Sequence, residues 1–135
     1  MKKKLNCILL VDDDPDDNFF HQRIINKMDI THAIAVAKNG IEALDYLRKE
    51  NQVIPELMFL DINMPKMNGW EFLEEYKKLD EKQKARITIM MLTTSANPDD
   101  VAKANSIEEV TGIRTKPLSV EMLNEILDEH FQDYK

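Results

Sequence analysis

The chain alternates between short, almost wholly apolar runs and longer stretches in which apolar residues recur every three or four positions. Leu5 to Val11 is apolar nearly throughout. It is too short for a helix, so it predicts a strand buried on both faces. Asp12-Asp13-Asp14-Pro15 ends that run. Asp14 is a good N-cap and Pro15 a good first helical residue, and the helix they open is predicted to turn Phe20, Ile24 and Met28 inward. A weaker strand, His32 to Ala37, leads through Asn39-Gly40 into a second helix with Ile41, Leu44 and Leu47 on its inner face. Glu56 to Leu60 predicts the third strand. Beyond the Pro65 to Gly69 loop, Phe72, Leu73, Tyr76 and Leu79 mark a third helix, and the polar run 80–86 connects it to a strand from Ile87 to Leu92. Asn97-Pro98 repeats the cap-then-proline signal and starts a fourth helix, whose periodicity fades over 105–111. Gly112 to Thr115 predicts a short fifth strand before Lys116-Pro117. Ser119 then caps a final helix with Val120, Leu123, Ile126 and Leu127 inward.

Strict alternation of strand and helix with short links argues for an α/β fold: a parallel sheet covered by helices on both faces and joined by right-handed crossovers. There is no internal repeat and no low-complexity linker, and 135 residues suit one domain, 1–135, with a basic tail at 1–4. The formal net charge of -7, from 25 acidic and 18 basic residues, repels nucleic acid and anionic lipid. No apolar run reaches the length of a membrane span and the N-terminus lacks the features of a signal peptide, so a cytoplasmic location is expected. The single cysteine, Cys7, lies in an apolar run and is expected to be a buried, reduced thiol.

Open parallel sheets bind ligands outside the carboxyl ends of their strands. The residues just after each predicted strand are Asp12 and Asp13, then Asp61, then Thr93 and Thr94, then Lys116. Taken singly, aspartates and threonines at such positions cap helices or make turns, and a lysine is solvated. Together they put all the candidate chemistry on one rim. Asp14 meets the capping need of the first helix, which leaves Asp12 and Asp13 without a structural role. Three converging carboxylates raise one another's pKa unless a cation holds them ionised. An all-oxygen ligand set with room for water suits magnesium. Ionised Asp61 is then a nucleophile, Lys116 offsets the charge of an arriving phosphoryl group, and Thr93 offers it a hydroxyl. Pro65 and Gly69 would shape the turn beyond Asp61 and leave the Asn63 carbonyl facing the metal.

The segments ILLVDDDP, FLDINMPKMNG, MLTTS and TKP, in this order, resemble the motifs of the receiver domain of two-component response regulators, over essentially the whole chain. The resemblance implies a doubly wound, flavodoxin-like fold of five parallel strands in order 2-1-3-4-5. It implies that Asp61 accepts phosphate from the phosphohistidine of a histidine kinase or phosphotransfer protein. Asp13, Asp61 and the Asn63 carbonyl would bind magnesium, with Asp12 acting largely through water. Thr93 and Lys116 would be the switch hydroxyl and the phosphate-pairing lysine. Catalysis would be limited to the domain's own phosphoryl transfer and slow autodephosphorylation. With no output domain expected after the last helix, the signal would pass to a downstream protein by contact, or to a second histidine by relay. Three features depart from the family pattern. Ile113 stands where an aromatic is frequent, one residue more than is common separates Thr93 from Lys116, and Thr94 adjoins Thr93.

Three other readings compete. A phosphatase of the haloacid dehalogenase type would need a second acid where this chain has Asn63. A flavodoxin-like cofactor binder would need a phosphate cradle where this chain has three aspartates. A degenerate receiver would use the acidic crevice only for docking.

Overall fold

The computed structural model describes residues 4–49, 53–84, 87–95 and 97–131. Five parallel strands, β1 (Ile8–Val11), β2 (Ile34–Ala37), β3 (Leu57–Asp61), β4 (Thr88–Thr93) and β5 (Val110–Thr115), form one sheet in the order β2-β1-β3-β4-β5. Between and after them run α1 (Pro15–Met28), α2 (Gly40–Arg48), α3 (Gly69–Tyr76), the single turn α4 (Glu81–Lys84), α5 (Pro98–Asn105) and α6 (Val120–His130). This is the doubly wound architecture and the strand order that the motifs imply. Residues 1–3 of the basic tail and 85–86 of the polar connector lie outside the described residues; Lys4 pairs with Asp29 at 2.7 Å.

The apolar runs are continuous because each central strand is covered twice. On one face Leu9, Val11, Met58, Leu60, Ile89 and Met91 pack against Ala43, Leu44, Phe72, Leu73 and Tyr76. On the other, Ile8, Leu10, Leu57, Phe59, Met90 and Leu92 pack against Ile25 of α1 and Leu123, Ile126 and Leu127 of α6. Alternate residues of each strand therefore feed opposite cores. Cys7 is buried as expected, its sulfur 3.7 Å from the Tyr46 hydroxyl, and burial raises its pKa.

The N-caps of α1, α2, α3, α5 and α6 each follow the end of a strand and so sit on the same rim. The Asp14 carboxylate accepts from the amides of Asp16 and Asp17, Asn39 from Glu42, Asn97 from Asp100 and Ser119 from Met122. Asn68 and Glu71 exchange hydrogen bonds in a capping box at the start of α3.

One helix, α1, is rotated from the expected phase, while α2 and α6 bury the expected Leu44, Leu47, Leu123, Ile126 and Leu127 and expose only the first residue named for each. Phe20 is 44% exposed, Ile41 43% and Val120 50%. In α1 the buried stripe is Asn18, His21 and Ile25, because the two polar side chains reach fixed backbone partners: Asn18 Nδ2 donates to the Asp12 carbonyl and His21 Nε2 accepts from the Leu118 amide. Ile24 and Met28 pack only partly. In α2 the inward face is Gly40, Ala43, Leu44 and Leu47, which leaves Ile41 outside. Val120 is the first residue of α6, one turn ahead of the buried Leu123.

β5 begins at Val110 rather than Gly112. Ile89 pairs with Val110 but Met90 with Gly112, so the register shift leaves Thr111 as one extra residue on β5. This bulge has room for the additional residue between Thr93 and Lys116. Ile113 lies opposite Met91, partly buried against the core.

Candidate functional site

Register brings the rim residues together. Val11 pairs with Leu60, so Asp12 follows β1 level with Asp61 at the end of β3. Asp61 pairs with Leu92, Thr93 is the last residue of β4, and its β5 partner Thr115 immediately precedes Lys116. The β1–β3 junction is where the strand order reverses, the crevice position of such sheets.

Asp12, Asp13 and Asp61 each present an oxygen within 4.8 Å of the others. Asp12 and Asp61 are buried, Asp13 is exposed, and Asn63 is exposed in the loop beyond. The three acids are not without a counter-charge, and Asp12 is not without a structural role. The Lys116 ammonium reaches Asp12 Oδ2 at 2.7 Å and Asp61 Oδ1 at 3.5 Å, while Asp12 Oδ1 accepts from the Asp14 amide at 3.0 Å in an Asx turn. Even so, burial and then the Asp12 charge push the Asp61 carboxyl up to about 6, against the opposing pull of Lys116. Burial pulls the Lys116 ammonium down, but its hydrogen bonds to Asp12 and Asp17 outweigh that, and its pKa is raised. The ammonium is charged and the aspartates compete for it.

Thr93 is buried, its hydroxyl donating to the Ser95 carbonyl at 3.2 Å and accepting from the Ser95 amide at 3.3 Å; Thr94 is exposed. The Lys116 amide donates to the Thr93 carbonyl at 2.8 Å, which ties the ends of β4 and β5, and the Lys116–Pro117 peptide bond is cis.

Gly69 shapes the turn after Asp61 through close packing, not through its backbone angles. The residue with positive φ is Lys66, at 66°, and no glycine takes that conformation. Gly69 is needed instead for close approach. A Cβ there would lie 2.6 Å from the Asp61 carbonyl oxygen and 3.1 Å from Ile62 Cα, and the Gly69 amide donates to the Ile62 carbonyl at 2.8 Å.

Sequence reasoning missed three residues here. Asp17 holds Lys116 at 2.9 Å, Asn18 braces the Asp12 carbonyl, and His21 braces Leu118 just beyond the cis proline. The signal for the last two was a polar stripe: Asn18 and His21, continued by Ile25, recur at helical spacing on the inward face of α1, whereas nothing local marked Asp17.

The cluster fits a divalent cation on its own chemistry. Its donors are carboxylate oxygens, one is open to solvent, and burial and then the Asp12 charge disfavour ionised Asp61, a cost that a cation would relieve.

The family model of the response regulator receiver domain matches residues 8–128. Response regulator Rcp1 of Synechocystis is 37% identical over 98 residues, which are 70% of this chain and 65% of Rcp1. Other curated relatives are matched over shares of their length from 14% to 79%. The Mn(2+)-bound form of Rcp1 superposes with a TM-score of 0.74 at 30% identity, covering 95% of this chain and 94% of that one. A two-component response regulator from Cytophaga hutchinsonii gives 0.83 at 31% identity, covering 94% and 97%. The phosphorylated cyanobacterial phytochrome response regulator RcpA gives 0.74 at 32%, covering 96% and 93%. A match spanning most of the chain, on a fold whose acidic rim carries the motif residues, establishes that this chain belongs to the receiver-domain family of two-component response regulators.

Proposed function

We propose that Asp61 is the phosphoacceptor of a magnesium-dependent signalling switch, charged by the phosphohistidine of a histidine kinase or histidine phosphotransfer protein in the cytoplasm. The observation that carries this reading is a buried carboxylate at the end of β3, 3.5 Å from a charged lysine and within one oxygen cluster with Asp12 and Asp13. An Asp61 oxygen attacks phosphorus, the phosphorus–nitrogen bond breaks, and the imidazole leaves with the bond's electron pair. Asp61 needs no general base, because it reacts as the anion. Magnesium held by Asp13, Asp61 and the Asn63 carbonyl, with Asp12 acting largely through water, would supply charge neutralisation at the phosphoryl oxygens.

Lys116 carries three donors and turns one toward the phosphoryl group. The Thr93 hydroxyl exchanges its Ser95 carbonyl for a phosphoryl oxygen, and that exchange begins the signal. Displacement of Thr93 reaches Met91 along β4 and its neighbour Ile113 on β5. From there the change passes to the surface of α5, β5 and α6, read by a protein partner or followed by onward transfer to another histidine. Among the described residues no helix is long and apolar enough to cross a membrane.

Incubation with acetyl phosphate and magnesium should add one phosphoryl group to the wild type and none to Asp61→Asn, read by intact mass. Labelling of both proteins would overturn the assignment, and labelling of neither would favour the docking-only reading.

A further inference from the structure

Lys116 serves more acids than the phosphoacceptor reading requires. Its ammonium lies 2.7 Å from Asp12 and 2.9 Å from Asp17, but 3.5 Å from Asp61, at the edge of hydrogen-bonding range. Asp17 belongs to the first turn of α1, where its amide is held by the Asp14 cap at 3.3 Å, so its carboxylate is presented by rigid backbone. It does not share the oxygen cluster of Asp12, Asp13 and Asp61. A cation bound there would therefore leave the charge of Asp17 in place after Asp12 and Asp61 had been neutralised.

We propose that Asp17 is a positioning residue that competes with a phosphoryl group on Asp61 for the Lys116 ammonium, and so sets how readily the switched state forms. The proposal rests on Asp61 being the phosphoacceptor. A phosphoryl group brings three acceptor oxygens to a point that Lys116 does not now contact closely. The ammonium has a third donor for them, but its nitrogen lies 3.5 Å from Asp61 and must shift to close on them, which lengthens one of its two short bonds. Asp12 is buried and tied to the Asp14 amide and to Asn18, whereas Asp17 is half-buried with no hydrogen bond to its carboxylate other than that from Lys116 among the described residues. The bond to Asp17 is the one that yields, and its strength opposes the switch.

The test is the affinity for beryllofluoride, a phosphoryl mimic, titrated with magnesium present and followed by fluorine NMR. Asp17→Asn should bind about three- to tenfold more tightly than the wild type, the scale of one charge-assisted hydrogen bond at a half-exposed position. Asp17→Glu should return affinity toward the wild-type value. Asp16→Asn removes the same charge from the same turn without touching Lys116 and should change affinity by less than about twofold. In a Lys116→Met background the Asp17→Asn gain should vanish, since the cycle isolates the pair. Unchanged or weaker binding by Asp17→Asn, an equal gain from Asp16→Asn, or a gain that survives in Lys116→Met would each overturn the proposal while leaving the phosphoacceptor reading intact. A wild-type protein that neither binds the mimic nor is labelled by acetyl phosphate would overturn both.

Discussion

Replacing Asp61 by asparagine should stabilise the metal-free protein, and the gain should depend on pH. The carboxyl of Asp61 is raised from 3.8 to about 6 by burial and by the neighbouring Asp12. A carboxyl whose pKa is higher in the folded state binds its proton more tightly there, so wild-type stability falls as pH rises from about 4 to about 6 and is level above that. At about 1.4 kcal/mol per pKa unit the full loss is about 3 kcal/mol, and solvent reaching the crevice beside exposed Asp13 reduces it to about 1–3 kcal/mol. Asparagine keeps the shape and has no such loss, while Lys116 retains Asp12 and Asp17 as partners. Urea denaturation in chelator-containing buffer at pH 4.5 and at pH 8 measures the difference. Asp61→Asn should gain about 1–3 kcal/mol on wild type between the two pH values. Saturating magnesium should restore the wild type selectively, because a ligand that binds only the folded form stabilises it by mass action. A difference independent of pH, or an asparagine variant that becomes relatively less stable at pH 8, would refute the claim that burial and Asp12 strain the ionised carboxylate.

Asp13→Asn should weaken magnesium binding about tenfold or more by calorimetry, since it removes the negative charge of the cluster's solvent-facing carboxylate. Gly69→Ala should cost about 1–3 kcal/mol of stability in the same urea assay and lower mimic affinity, because the new methyl meets the Asp61 carbonyl. Gly40→Ala, which meets only the flexible Met67 side chain, should cost less. Cys7 should resist a thiol reagent in the native protein and react fully in urea, since it is buried and its pKa raised. On adding beryllofluoride, backbone NMR shifts should extend from the Asp12, Asp61 and Lys116 loops to Ile113, α5 and α6. Shifts confined to those loops would show that this surface carries no output.

The local information in the chain determined the order of the elements. A strand covered on both faces must be apolar along its length, so Ile8–Val11 and the run from Leu57 to Leu60 stand out without any tertiary knowledge. Caps are equally local, because an Asp14 or Asn97 side chain bonds amides two or three residues ahead. Once the strand ends were legible, so was the rim, since Asp12, Asp61, Thr93 and Lys116 lie at or directly after them. Tertiary structure decided what depends on contacts distant in sequence. The inward face of α1 turned on Asn18 and His21 finding backbone partners, the latter 97 residues away, and the apolar count alone pointed to Phe20 instead. The partners of Lys116, 99 and 104 residues distant in sequence, and the bulge at Thr111 were likewise invisible. Periodicity and capping report energies exchanged within one turn or one strand. Helix phase, charge sharing and strand register are set by which surfaces meet after the chain has closed on itself, and those contacts exist only in the folded molecule.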